Sequence, residues 1–507
     1  MSWKDFAEEL VGTSKEAVKK VAEYAEDYRI YPRSIIKEGK SFYFLAKIDQ
    51  KKKLVILNKS RNFELFQGKI EELAGFKAKI APLSHYNAEI LREIFPFTAP
   101  QALGNQTSSI GLGDRLGIAT PGHIEAVKES EAMPVFAQQS VRELSLTGRT
   151  FKSVLDDVSW AVFQEGYQDG FAADADHLKE KPDIQEALDL GYTMLTLDCT
   201  DYINDDLDQL NPAEIDNLYQ EVPDYLRDGL EDQYLNKTFV LNSGYQLEYN
   251  QDNFKEIVLI YYKMLDFAKE IQHLLKKSDR DVDFEISIDE TSTPTTPEAH
   301  FFVANELKRN NIKVNSLAPR FVGEFQKGID YIGDLDQFEK EFKVHAEIAD
   351  RFGYKLSIHS GSDKFSVFPI IGRHTQGRVH VKTAGTNWLE AIRVVAENDP
   401  SLYRDIHAYA LEKFEEAKEY YHVTTDLSKV PELAQLSDQE LGELLEINEV
   451  RQLLHITYGF ILQDKKDGRY LFRNKLYKFW DEHDKEYRRA LESHIGKHLN
   501  KLGFYKN

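Results

Sequence analysis

Three ionisable side chains crowd four positions in the middle of the chain. Asp174, Asp176 and His177 lie in the stretch FAADADHLK, residues 171–179, which ends on Lys179. Their immediate neighbours are mostly alanine, too small to build a core. An imidazole beside carboxylates suits metal ligation and proton transfer. Other apolar runs also end in ionisable residues: DFEISIDE at 283–290, KLSIHS at 355–360 and RVHVKT at 378–383.

Side chains alternate between the two faces of a strand. In DFEISIDE, Phe284, Ile286 and Ile288 share one face, leaving Glu285, Ser287 and Asp289 on the other and Glu290 just past the end. The same count sets Ser357 and His359 against Leu356 and Ile358, and His380 and Lys382 against Val379 and Val381. It leaves Asp198 of YTMLTLD on the polar face. FAADADHLK breaks the rule, because Asp174 and Asp176 share a parity that His177 does not. A bend at the strand end must turn that imidazole if it is to act with them.

Two neutral imidazoles and an oxygen ligand make an open site for Zn²⁺, Mn²⁺, Ni²⁺ or Fe²⁺. His177 and His359 are the first choices, with the oxygen among Gln326, Glu324 and Glu290, all just past strand ends. His123, His300, His374 and His380 fit loop or supporting positions better. Asp176, adjoining a metal-bound His177, could take a proton from a substrate hydroxyl, with Glu290 as its counterpart and Asp289 competing by parity. Arg115, Arg320 and Lys382 could receive a substrate carboxylate. Ser360–Asp363, SGSD, has the composition of an anion or hydroxyl cradle. No G-x-S-x-G elbow is present, which speaks against a serine hydrolase.

What must position these groups is a series of strands. From about Gly104, eight strand-length segments occur, most followed by a helical pattern. That alternation predicts a (β/α)₈ barrel of TIM type, whose carboxyl-end mouth would gather the polar strand ends. A doubly wound sheet is less well supported, since Gly111 and Gly113 are only a fragment of G-x-G-x-x-G. Residues 1–103 read as an α/β extension: Ser2 caps a first helix, an amphipathic helix covers 14–28, and two strands flank a turn at Asp49 to Lys53. Residues 104–430 read as the barrel, with an insertion at about 202–250, and 431–507 as a helical cap.

Composition narrows the function. The 507 residues are 42% hydrophobic and 29% charged, ordinary for a globular protein. A net charge of −21 argues against nucleic acid as partner. The single cysteine, Cys199, excludes an internal disulfide and a cysteine-based zinc site. No secretory leader and no membrane-spanning run is seen, so a cytoplasmic location is expected.

The segments GLGDRLGIATPGHI, FAADADHLK, ISIDETSTPTTPEAH, LAPRFVGEFQKGIDYIGD, IHSGSDKFSVFPIIGR and VHVKTAGTNWLEA resemble those of the tagaturonate epimerase family over roughly residues 104–430. These are bacterial enzymes of hexuronate breakdown that use a divalent metal; some members epimerise the neutral sugars tagatose and fructose. The resemblance implies Asp176 as proton acceptor, Glu290 as proton donor, and His177, His359 and Gln326 as metal ligands. The carbon inverted is not adjacent to the ketone, so enolisation cannot invert it, and a retro-aldol route fits the parts: a Lewis acid at the ketone and a carboxylate at the hydroxyl. The expected partner is a small keto-hexuronate or ketohexose, with no nucleic acid and no membrane; a homo-oligomer is left open. Competing expectations are a neutral ketohexose epimerase, a class II-like aldolase, and a non-catalytic sugar-acid binding protein.

Overall fold

Eight short parallel strands close into a barrel in chain order: β1 (Ser109–Gly111), β2 (Met133–Ser140), β3 (Ala172–Leu178), β4 (Met194–Asp198), β5 (Asp283–Ile288), β6 (Ser316–Pro319), β7 (Lys355–Ile358) and β8 (Val379–Lys382). The computed structural model describes residues 29–505 apart from 40, 58–60, 74, 75 and 279, so Ser2 and the helix expected over 14–28 lie outside the described residues. These strands are the eight expected from the sequence, and β8 pairs with β1 to close the ring.

The alternation rule explains both faces. Phe284, Ile286, Ile288, Leu356, Ile358, Val379 and Val381 are buried outward, under the surrounding helices, while Glu285, Ser287, Ser357 and His380 are buried inside the barrel. Strands covered on both sides are the rule in parallel sheets. Helices begin and end where local chemistry dictates. Thr150 and Ser153 form a capping box at the start of Phe151–Glu165, and Gly166 ends that helix with φ 60°.

Between β4 and β5 stand two helices, Pro212–Gln220 and Asp224–Tyr234, then an antiparallel hairpin, Lys237–Val240 with Gln246–Tyr249, and the long helix Gln251–Leu275. Before the barrel lies a five-stranded antiparallel sheet that packs Tyr43, Leu45 and Leu54 in one core with Trp160 and Phe163. Its central hairpin turns on Asp49 and Gln50 alone, with φ of 49° and 61°. Lys51–Lys53, expected to belong to the turn, are already strand. After β8, the helices Thr386–Asn398 and Pro400–Ala417 share a second core with the C-terminal helices, built on Trp388, Tyr403, Leu453, Tyr458, Trp480 and Tyr487. The last helix, Asp484–Leu502, returns to pack against Thr120–Val127, near the start of the barrel. No helix among the described residues is long and apolar enough to cross a membrane.

Candidate active site

The bend required of His177 is present. His177 has φ 55°, and the β3–β4 register shifts between Ala175 and Leu178. A left-handed residue that is not glycine costs on the order of 1–3 kcal/mol and survives only where its surroundings hold it. Here the imidazole Nδ1–H donates to Asp176 Oδ1 at 2.9 Å, and the ring lies 4.8 Å, centroid to centroid, from that of His359. Residues 182 positions apart in the chain are thus brought together across the barrel mouth, from the ends of β3 and β7.

His359 is held from the other side. Its Nε2–H donates to Glu285 Oε1 at 2.8 Å, and Nδ1 lies 3.0 Å from Asp289 Oδ1. That second approach misses hydrogen-bond alignment, so Nδ1 is a buried polar atom without a partner. A carboxylate thus fixes the tautomer of each imidazole, Asp176 for His177 and Glu285 for His359. The other ring nitrogens, His177 Nε2 and His359 Nδ1, are the ones left to a cation. Metal-binding histidines are oriented in this way. Ligand atoms of His177, Asp289 and His359 all lie within 4.8 Å of one another. Two nitrogens, one carboxylate oxygen and an orphaned buried nitrogen fit a divalent first-row cation.

The electrostatics point the same way. Burial alone would lower His359, but Asp289 and Glu285 raise it to about 10, so this position favours positive charge. Burial likewise opposes ionisation of Asp289, yet His359, His177 and the Ser287 hydroxyl hold its carboxyl below the ordinary range. Below the two imidazoles sits Lys382, whose ammonium contacts Asp176, Glu285 at 2.8 Å and Asp174 at 3.2 Å, and donates to Thr196 Oγ1 at 2.6 Å. Burial disfavours its charge, but those three carboxylates raise it well above an ordinary lysine. For Asp176 the balance runs oppositely: burial is outweighed by His177 and Lys382, which keep it ionised. Its Oδ1 takes both of those contacts, leaving Oδ2 free toward the cavity.

Other expected residues stand as follows. Glu290 is at the cavity edge, with Oε1 4.0 Å from His177 Nε2, on the side of the ring opposite Asp176. Gln326 lines the same cleft as His359 and Asp289, but its Oε1 accepts from Thr424 N, Thr424 Oγ1 and Gln452 Nε2, each at 3.1 Å, and the carboxylate oxygen grouped with the two imidazoles is that of Asp289. A carbonyl oxygen already accepting three hydrogen bonds has no lone pair to offer a cation. Glu324 faces Arg320 at 3.8 Å and His422 at 4.0 Å on the rim. Arg115 is buried against Glu143, with bonds of 2.8 and 2.6 Å, and over the Tyr458 ring at 3.8 Å. Lys382 is enclosed by acids, so neither it nor Arg115 is free for a ligand.

His300 pairs with His345 and Tyr354, His374 with Glu339, and His380 with Ser109, while His123 lies buried on the helix Thr120–Val127, near Asn387 and Asp114. In the SGSD loop, Ser360 lines the cavity but Asp363 turns away to Arg451 and His494. At the rim, Lys179 pairs with Asp201 at 2.9 Å, and Asp198 Oδ1 accepts from Thr200 N.

Above this cluster is a cleft of about 330 Å³, lined by Asp289, Glu290, Arg320, His359, Ser360 and Tyr421 among others. That is room for a small polar metabolite. Three residues carried no signal in the sequence taken alone: Arg142 and Lys327, which line this cleft, and Gln138, which lines the smaller cavity adjoining it around Asp176 and His177. Gln138 is fully buried on β2 with neither amide atom hydrogen-bonded. It occupies space that only a glycine leaves open, since a Cβ on Gly111 would stand 2.2 Å from its Oε1. The glycines of GLGD thus make room for side chains of β2 rather than for a phosphate.

Comparison with known proteins adds three findings. A family model described as tagaturonate epimerase matches residues 31–502. A curated relative, the tagaturonate/fructuronate epimerase of Thermotoga maritima, is 41% identical over 94% of this chain and 98% of its own length. Among solved structures, the fructuronate-tagaturonate epimerase UxaE of Cohnella laeviribosi in a glycerol complex superposes with a TM-score of 0.92 at 51% identity, covering 97% of this chain and all of that one. Its native structure gives the same TM-score at 50% identity.

Proposed function

The chain belongs to the tagaturonate epimerase family, and from that premise we propose that it interconverts tagaturonate and fructuronate with the help of a divalent cation. The observation that carries this reading is the convergence of His177, Asp289 and His359 on one point, with Asp176 and Glu290 on opposite sides of the His177 ring. A cation held by these three residues would supply Lewis-acid polarisation of the substrate ketone.

The inverted carbon lies β to the ketone, so its C–H bond is not acidified, and the bond between it and the α-carbon is the one to open. Asp176, kept ionised by His177 and Lys382, takes the proton of the β-hydroxyl through its free Oδ2. The electron pair of the breaking bond passes to the ketone-bearing fragment as an enediolate, and the other fragment becomes an aldehyde. Rotation of the aldehyde by half a turn exposes its other face. When the bond re-forms, Glu290 returns a proton to the new alkoxide from the opposite side, and exchange with solvent restores both carboxyls. Lys382 holds Asp174, Asp176 and Glu285 together as anions, and Gln138 presents an amide to a substrate oxygen. Enclosure limits the water that could capture the open fragments.

The test is turnover of tagaturonate by purified protein, followed as fructuronate formed, before and after exhaustive chelation. Conversion that disappears with chelator and returns on adding back a divalent metal is expected. Turnover indifferent to chelation overturns the reading. Tagatose assayed in parallel reports whether the neutral sugar is also a substrate.

A further inference from the structure

The cavity holds cations that the acid cluster does not consume. Arg115 is taken by Glu143, Lys382 by three carboxylates, and Arg320 faces Glu324. Lys327 differs from all of them. It is half-buried in the cavity wall, and among the described residues its ammonium makes no hydrogen bond and no ion pair; only its backbone carbonyl is engaged, by Gln452. Beside it Arg142 donates to the Tyr420 carbonyl at 3.2 Å and lies over the Tyr421 ring at 4.8 Å, leaving most of its fork free. Glu143 and Glu290 act on it electrostatically, but neither forms an ion pair with it. Burial, with Arg142 and Arg115 nearby, pushes the Lys327 ammonium below its ordinary value. A half-buried cation next to other cations and without an ion pair is unfavourable.

The loop carrying Lys327 is nevertheless fixed on both sides. Lys364 Nζ donates to the carbonyls of Gln326 at 2.8 Å and Ile329 at 2.6 Å. Arg451 Nε donates to that of Gly328 at 2.6 Å. These bonds position the Lys327 backbone while leaving its charge unmet, which prepares a site for an anion.

We propose that Lys327, with Arg142, is the receptor for the substrate carboxylate and so sets the preference for a hexuronate over a neutral ketohexose. The inference rests on the epimerase reading above and adds a consequence to it. In a hexuronate the carboxylate lies beyond the inverted carbon from the ketone, so it belongs to the aldehyde fragment. Held at Lys327 and Arg142, that fragment can rotate about its own bonds without leaving the site.

The experiment compares the wild type, Lys327→Met, Lys327→Arg and Arg142→Met, each loaded with the same metal, on tagaturonate and on tagatose. The ratio of kcat/KM for the uronate over that for the neutral sugar is expected to fall about 30-fold or more in Lys327→Met, chiefly through KM, and to recover largely in Lys327→Arg. Arg142→Met should lower the same ratio by a smaller factor. In parallel, the rise in melting temperature on adding tagaturonate should vanish in Lys327→Met, whose unliganded melting temperature should equal or exceed that of the wild type. An unchanged ratio, or equal losses on both sugars, overturns the receptor. If the wild type turns over neither sugar but tagaturonate still raises its melting temperature through Lys327, the epimerase reading fails and the receptor stands; the absence of both effects removes both.

Discussion

Asp289 and Glu290 are neighbours at the end of β5 and face different tasks. Ser287 Oγ donates to Asp289 Oδ1 at 2.5 Å and aims it at His359, whereas Glu290 stands at the cavity edge with only long contacts, 3.5 Å to Thr200 Oγ1 and 4.0 Å to His177 Nε2. Strand parity marks Asp289 as inward-facing, yet the family resemblance suggests Gln326 as third ligand, and the two assignments separate experimentally. Asp289→Asn keeps the size and the Ser287 hydrogen bond but loses the anion. Removing even a supporting partner of a metal ligand costs 10–100-fold in affinity, so metal retained per chain after dialysis should fall at least about tenfold, measured by elemental analysis. Gln326→Ala should leave metal content unchanged. It strips an acceptor from Thr424 N and Gln452 Nε2, so chemical denaturation should show a loss of about 1–3 kcal/mol.

At the scale of elements, the barrel was legible because its signal is local and repeated: eight strand-length segments, most followed by a helix, four of them with one apolar parity and a polar residue at the end. His359 was legible from parity, whereas His177 was singled out by the ionisable residues crowded around it and against its parity, and the left-handed φ of 55° supplies the bend that its parity demanded. What escaped is what local pattern cannot encode. Lys327 and Arg142 follow β6 and β2 in loop and helix, and what singles them out, an ammonium without an ion pair among the described residues beside a guanidinium held by the Tyr420 carbonyl and the Tyr421 ring, is a property of the folded cavity alone. Gln138 lies on an inward face like many others; only the contact with Gly111 singles it out. That contact predicts the effect of Gly111→Ala. The added methyl would overlap the Gln138 amide, which has no exposed space to retreat into, so it must turn from the cavity or distort β1. We expect a stability loss of about 1–3 kcal/mol from overpacking. A fall in kcat/KM of about tenfold should accompany it, and steady-state kinetics beside thermal melts would show both.

Across the whole molecule, the C-terminal helices join the site to the rest of the fold, and one arginine concentrates that connection. Arg451 extends from the helix Asn448–Ile456 to the Gly328 carbonyl in the loop after β6 and to Asp363 Oδ2, at 2.6 Å, in the loop after β7. Asp363 is also held at 2.7 Å by His494 of the last helix, and its backbone N–H donates to His498 Nε2 at 3.0 Å. Burial would raise the Asp363 carboxyl, but Arg451 and His494 hold it well below its ordinary 3.8. Breaking a buried ion pair from one side leaves the other charge uncompensated, so Arg451→Met should cost about 3–5 kcal/mol near neutral pH. The pH dependence has a definite sign. A carboxyl whose folded value is depressed contributes stability that is complete above its unfolded value and is lost as the pH falls toward its folded one. The wild type should therefore lose stability more steeply on acidification than Arg451→Met, whose Asp363 is less depressed, and their difference should shrink toward about pH 3. Denaturant unfolding across that range measures it; a constant difference would mean that Arg451 acts through its carbonyl contacts alone and that Asp363 contributes nothing to holding the two loops beneath the last helix.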